Sequence, residues 1–292
     1  MPGNISKGTR DVLLRLQRND HTQRLIYLEL AERTNNHDNA PTLEEIAESQ
    51  QARERMWQQY TGQEVRPDRF RMRRYLILAK LLGLTFAVRL LERREAQNQD
   101  LYARVANEIP EAQRMVESKS DQKHRLIDQV DEERLAYAGS MVLGLNDALV
   151  ELTGALAGLT LALRDTNLIG ASGLITGIAA SMSMAASQYL SVQAEENDQS
   201  PLKASIHTGV SYILAVALLI VPYLLIAHYL TALGIALIIA VVIILAFTYY
   251  LSVARDLSFR HRFLEMAGIS LGVAALSFVI GYGVRILFGL EV

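Results

Sequence analysis

Hydrophobic and polar positions are segregated along this chain. From Ile206 to Ala254 there is no Lys, Arg, Asp or Glu, whereas residues 1–137 are dense in all four. Five windows are apolar over the roughly 20 residues a helix needs to cross a hydrocarbon core: 139–163, 168–192, 206–229, 231–253 and 266–289. They lack the two-residue alternation of barrel strands, so helices are expected. Small residues in "GALAGL" and "GLITGIAASMSMAAS" predict that the first two spans pack centrally. The third and fourth, "YILAVALLIVPYLLIAHYL" and "GIALIIAVVIILAFTYYL", are large and aliphatic all round and are expected to face lipid, with Pro222 kinking the third.

The polar half has helical periodicity over 11–33, 43–60, 70–108 and 111–134, with breaks at "NNHDNAP", "TGQEVRPD" and "EIPEA". The predicted fold class is therefore all-α: a four-helix bundle over residues 1–134 followed by a five-helix transmembrane domain over 135–292. Residues 76–91, "LILAKLLGLTFAVRLL", are apolar but contain Lys80 and Arg89 and are too short for a crossing, so they are expected to form a core helix of the bundle. Before them, Arg66, Arg69, Arg71, Arg73 and Arg74 make either a solvated face or a surface for anionic headgroups. Trp57 and the tyrosines at span ends are expected to serve as packing and interface anchors.

Composition narrows the function classes. The net charge is −2 and the arginines alternate with acids, which gives no footing for nucleic acid. Cysteine is absent, so thiolate ligands, disulfides and cysteine nucleophiles are excluded. "MPGNISKGTRDVLLRLQRND" has no secretory-signal pattern. Lys123, Arg125 and Arg134 precede the first span, Lys203 lies between the second and third, and Arg255, Arg260 and Arg262 lie between the fourth and fifth. The opposite loops carry only Arg164 beside Asp165, with Arg285 near the far end of the fifth span as an exception. The positive-inside rule then places the N-terminal half in the cytosol and the C-terminus outside.

The first span reads "LGLNDALVEL" near its middle. A carboxylate at membrane depth costs at least about 2.5–3.5 kcal/mol on insertion scales, so Asp147 and Glu151 call for a reason. Their four-residue spacing puts both on one face. Two carboxylates on one face can share a divalent cation and can carry protons in its place, which is the chemistry of cation–proton exchange. A polar pair stitching helices or subunits together is the other reading. In the second span, Met184 and Gln188 share a stripe with Ser181 close to it. A thioether beside carboxylates suits a transition metal, although a methionine in an apolar helix also serves as core.

"GLNDALVELTGALAGL" followed by "GLITGIAASMSMAASQYLS" resembles the first two helices of the vacuolar iron transporter (VIT) family. The matching residues are Asn146 and Asp147 in the first helix and Ser183, Met184 and Tyr189 in the second, and "GISLGVAALSFVIGYG" resembles the fifth. The resemblance spans about residues 133–290. It implies a five-helix homodimer that moves cytosolic Fe2+ or Mn2+ against protons, with Asp147 and Met184 lining a path at the dimer interface. Glu151, Asn146, Gln188 and Tyr189 complete the expected path, and the metal is the substrate, with no organic cofactor. The long Glu-rich insertion of plant and fungal members is missing. In its place "VQAEENDQSPLKASI" offers Glu195, Glu196 and Asp198 as either a weak cation-attracting patch or a solvated helix end.

The polar half repeats internally. Asp20 precedes Tyr27 by seven residues and Glu95 precedes Tyr102 by seven, while Gln50-x-x-Arg53 stands where Asp121-x-x-His124 recurs. Carboxylate helices alternating with carboxylate-x-x-His helices is the di-metal arrangement of ferritin-like bundles. "HTQRLIYLELAER" and "LLERREAQNQDLYARVANEIPEA" resemble the rubrerythrin-type domain fused to a VIT transporter in the bacterial and archaeal membrane-bound ferritin group, which implies a prokaryotic plasma membrane and iron export. Here Gln50 and Arg53 replace ligands, and an arginine has no lone pair to give. An intact di-iron centre is therefore not expected, nor is ferroxidase activity. What remains is either one weak position from Asp20, Glu95, Asp121 and His124 or a purely structural bundle. The competing function is a membrane-anchored ferritin-like protein that binds, oxidises or senses iron without transport.

Overall fold

A computed structural model describes residues 5–34, 39–96, 99–106, 108–109, 137–195, 199–255 and 257–289. Only helices occur among the described residues, and the chain divides into two compact units, Met1–Glu132 and Glu133–Val292.

In the first unit, α1 (Lys7–Arg33) and α2 (Asn39–Thr61) pack against one another, and α3 (Arg69–Leu82), α4 (Leu84–Ala96) and α5 (Gln99–Ala106) follow. Helix α1 starts four residues before the expected position because Ser6 caps it, its Oγ accepting from the Thr9 N–H at 3.2 Å. The Ser6 N–H and the Ser6 and Thr9 hydroxyls in turn donate to the Glu108 carboxylate at 2.7–2.8 Å. Ile26, Tyr27, Leu30, Leu43, Ile46, Tyr75, Val88 and Leu91 form one core, each large aliphatic side chain contributing about 1.5–3 kcal/mol by its removal from water. Leu13, Leu16, Trp57, Val105 and Ile109 form a second.

The expected single helix over 70–108 is broken. Gly83 has φ +99°, a backbone conformation open to glycine, and it separates α3 from α4. With that break, the predicted core helix 76–91 is two pieces, and Ile77, Leu81 and Leu82 on the first are exposed. The expected helix 111–134 lies outside the described residues.

In the second unit five helices are long and apolar enough to cross a membrane: α6 (Ala138–Leu163), α7 (Thr166–Ala194), α8 (Pro201–Leu225), α9 (Tyr229–Ala254) and α10 (Phe259–Phe288). Helix α6 ends at Arg164, in the left-handed conformation, and the next residue, Asp165, caps α7 by accepting from the Leu168 N–H at 2.9 Å. This leaves no room for a loop, so α6 and α7 form a tight antiparallel hairpin. Pro222 sits within the last turn of α8, which stops at Leu225, earlier than expected.

Two expectations about lipid exposure reverse. Helix α8 is the most enclosed span, with half of its most apolar window buried, whereas α7 is mostly open, with 28% buried. The cause lies in the small residues of α7. A side chain on Gly177 would come within 2.6–2.8 Å of the Val216 methyls, and one on Gly173 within 2.8 Å of Leu156. The glycines admit the bulky residues of α6 and α8 on one side of α7, and Ile175, Ile178 and Met182 stay exposed on the other. Helix α6 also lies against α10 at near-backbone contact, where a Cβ on Gly281 would collide with the Gly158 carbonyl. Hydroxyls tie the bundle across this seam: Thr153 and Ser270 lie 3.2 Å apart, and Ser270 donates to the Leu149 carbonyl at 2.9 Å.

Candidate functional site

Asp147 and Glu151 are one turn apart on α6, because a helix turns about 100° per residue and four residues return nearly to the same face. That face is not packed inside the bundle: Asp147 is half-buried, and Leu143 and Glu151 on either side of it are exposed. Among the described residues Glu151 has one fixed partner. The hydroxyl of Tyr212, a wholly buried residue of α8, donates to its Oε2 at 2.8 Å. Asp147 takes no hydrogen bond from the described residues, so its acceptor capacity is open to a ligand.

Sequence pattern does not single out Tyr212, which lies inside the third window and not at the span ends where tyrosines are expected as anchors. The available signal was chemical: a hydroxyl in an otherwise aliphatic span must find an acceptor inside the protein.

The α6–α7 hairpin brings the two expected halves of the path onto neighbouring helices. Gln188 donates from Nε2 to Ser140 Oγ at 3.1 Å, and Thr208 of α8 donates to the Ser140 carbonyl at 3.0 Å. Starting from the Gln188–Ser140 pair and moving along the two antiparallel helices, four residues bring Met184 level with Gly144, about one turn from Asp147. Met184 is half-buried and packs on the core cluster of the unit. Asn146 is half-buried, and Tyr189 is exposed at 38%. Among the described residues no group of three His, Cys or acidic side chains can hold a metal ion. Among the described residues, then, a cation at Asp147 and Glu151 would find its further ligands in groups other than His, Cys and acidic side chains. At the far end of α7, Glu195 is an exposed C-cap residue, and Glu196 and Asp198 lie outside the described residues.

The expected ferritin-like position in the first unit holds an ion pair. Arg53 donates from Nη2 to Asp20 Oδ1 at 3.0 Å and to Gln50 Oε1 at 2.5 Å, and Trp57 Nε1 donates to Asp20 Oδ2 at 2.7 Å. All four residues are at most 1% exposed. Both oxygens of Asp20 are engaged and a permanent cation fills the adjacent space, so Asp20, Gln50 and Arg53 do not fit a di-metal centre. Glu95 lies in α4, whereas Asp121 and His124 lie outside the described residues.

A helical membrane protein with a carboxylate pair on the open face of one span fits a membrane metal transporter. Residues 138–199, which take in α6, α7 and the link after them, match the family model of the VIT family. No curated protein and no solved structure matches the chain.

Proposed function

We propose that the chain exports Fe2+ or Mn2+ from the cytosol in exchange for protons, as a homodimer in a prokaryotic plasma membrane, with its N-terminal unit cytosolic and its C-terminus outside. The observation that carries this reading is the stripe Leu143, Asp147, Glu151 on the open face of a membrane-spanning helix, with Asp147 half-buried between two exposed neighbours and Tyr212 bracing Glu151. In a lone copy this stripe would meet lipid, where a charge costs several kcal/mol. A second copy docked on the stripe removes that cost and doubles the number of carboxylates. A divalent cation neutralises two carboxylates, and two protons do the same after it leaves, so exchange proceeds without a bare charge pair in the bilayer. Met184, one turn away along the hairpin, supplies a soft donor that favours Fe2+ over Mg2+ or Ca2+. Gln188, Asn146 and Tyr189 line the approach. The Arg53–Asp20 pair weighs against the competing reading of a membrane-anchored iron oxidase, and the protein acts as a transporter without an enzymatic step.

The test is metal movement into proteoliposomes with Fe2+, Mn2+, Zn2+ and Ca2+, with and without a proton gradient. Gradient-dependent movement of iron or manganese, abolished in Asp147→Ala protein of unchanged size and thermal stability, is the expected result. Equal movement by wild type and Asp147→Ala rejects the site.

A further inference from the structure

Helix α3 has two apolar faces, and the first unit uses one of them. Met72, Tyr75, Leu76 and Ala79 pack into the core with α1, α2 and α4. Phe70, Ile77 and Leu81 point the other way and are 78%, 57% and 68% exposed. At about 100° per residue these three fall within an arc of about 40° and run for about 16 Å along the helix. About 40° further round the helix, in an arc of about 40° of their own, stand Arg69, Arg73 and Lys80, all exposed, and Arg66 is exposed just before the helix. On the other edge is Arg74, whose guanidinium sits over the Tyr75 ring at 5.5 Å. The acid nearest the helix start, Asp68, is spent as the N-cap, accepting from the Arg71 N–H at 3.0 Å. Arg71 is turned inward to Asn19 Oδ1 at 2.7 Å and does not belong to the exposed set.

An apolar stripe with cationic flanks and no acidic residue within it has the charge and shape complementary to an anionic bilayer surface: aliphatic and aromatic side chains enter the acyl boundary and the cations stay among the phosphates. We propose that α3 is an interfacial membrane foothold, by which the polar unit holds an anionic leaflet through Phe70, Ile77 and Leu81 with Arg66, Arg69, Arg73 and Lys80 on the headgroups. The proposal rests on the membrane anchoring of the chain and not on its transport activity. Because α6–α10 already fix the chain in a bilayer, the foothold works at high local lipid concentration and needs only modest intrinsic affinity.

The chain contains no cysteine, so a single reporter can be placed in the full-length protein. Ile77→Cys, labelled with a polarity-sensitive fluorophore and reconstituted in nanodiscs, is read against two quenchers, spin-labelled lipid and aqueous iodide. Glu48→Cys, on an exposed position of α2, is the control. In discs containing phosphatidylglycerol, the label at 77 is expected to be quenched by lipid and shielded from iodide, while that at 48 remains open to iodide. The lipid-bound fraction is expected to fall on moving to pure phosphatidylcholine, in high salt, and in the Arg69→Glu/Arg73→Glu/Lys80→Glu variant, in which the ratio of lipid-bound to free α3 drops at least about fivefold for each cation removed. Unchanged Trp57 emission verifies that the variant keeps its fold. Iodide access at 77 in every lipid overturns the proposal as a solvated face. Shielding from both quenchers overturns it as a surface covered by protein, whether another segment of the chain or a second copy.

Discussion

Replacing Arg53 by methionine tests the ion pair of the polar unit most directly. The substitution keeps much of the stem volume but removes the donor to Asp20 Oδ1, leaving a carboxylate that is 1% exposed with its charge uncompensated by the guanidinium. Breaking a buried pair on one side costs about 3–5 kcal/mol, because the remaining charge keeps its desolvation penalty and loses its attraction. At a typical urea dependence of about 2 kcal/mol per molar, that is a midpoint lowered by about 1.5–2.5 M. The assay is built in: Trp57 is the only tryptophan of the chain, is wholly buried, and donates to Asp20. Its emission on urea titration of the full-length protein in detergent reports this unit alone. Asp20→Asn combined with Arg53→Met removes both charges and keeps an acceptor for Trp57, and is expected to regain most of the loss. A single Arg53→Met variant within about 1 kcal/mol of wild type, or a double variant as weak as the single, refutes the argument that the pair is a matched charge in a dry site.

Tyr212→Phe removes the only fixed partner of Glu151 among the described residues while keeping the ring that fills α8. With a hydrogen bond to a charged group worth about 1.5–3 kcal/mol, proteoliposome flux at limiting metal is expected to drop about tenfold or more, while thermal stability falls by no more than that amount and the protein keeps its size in detergent. Gly281→Ala would press a methyl on the Gly158 carbonyl and is expected to cost about 1–3 kcal/mol in thermal unfolding of the detergent-solubilised protein, whereas Gly283→Ala, with open space at its Cβ, is expected to be tolerated. Hydrogen bonds from Ser6 and Thr9, the Ser6 amide foremost, hold the Glu108 carboxyl below the usual carboxylate value. Its tie to the start of α1 is therefore complete above that usual value and lost as the pH falls through its own lowered one. Hydrogen exchange of the first turn of α1 is expected to rise there, and to be high already at neutral pH in Glu108→Gln.

The spans were legible because a run of about twenty apolar residues without a charge is long enough to cross a bilayer and too apolar for the surface of a water-soluble fold. The helices begin and end within about four residues of the hydropathy windows, except that α8 starts five and α10 seven residues ahead of theirs. Their mutual burial was not legible. Large aliphatic side chains serve equally against lipid and in glycine grooves, and the Gly173 and Gly177 contacts with Leu156 and Val216 are visible only once α7 lies between α6 and α8. The carboxylate pair was readable from spacing and membrane depth, but its brace, Tyr212, comes from a helix 61 residues away. In the polar unit Gln50 and Arg53 stood out by position, yet the part of Trp57 did not, since a tryptophan in an amphipathic helix reads as packing. Continuous helical periodicity also hid the break at Gly83, which only a positive φ discloses.

The Arg53–Asp20 pair has a consequence for how the polar unit meets its surroundings. A bundle knit around bound ions is complete only when the cell can spare them, and it loosens when they are scarce. Here the neutralising charge is covalently part of the chain and arrives with translation. This part of the unit thus matures on the same schedule in metal-poor and metal-rich cells, and the Arg53–Asp20 contact is not where metal supply can act on the protein.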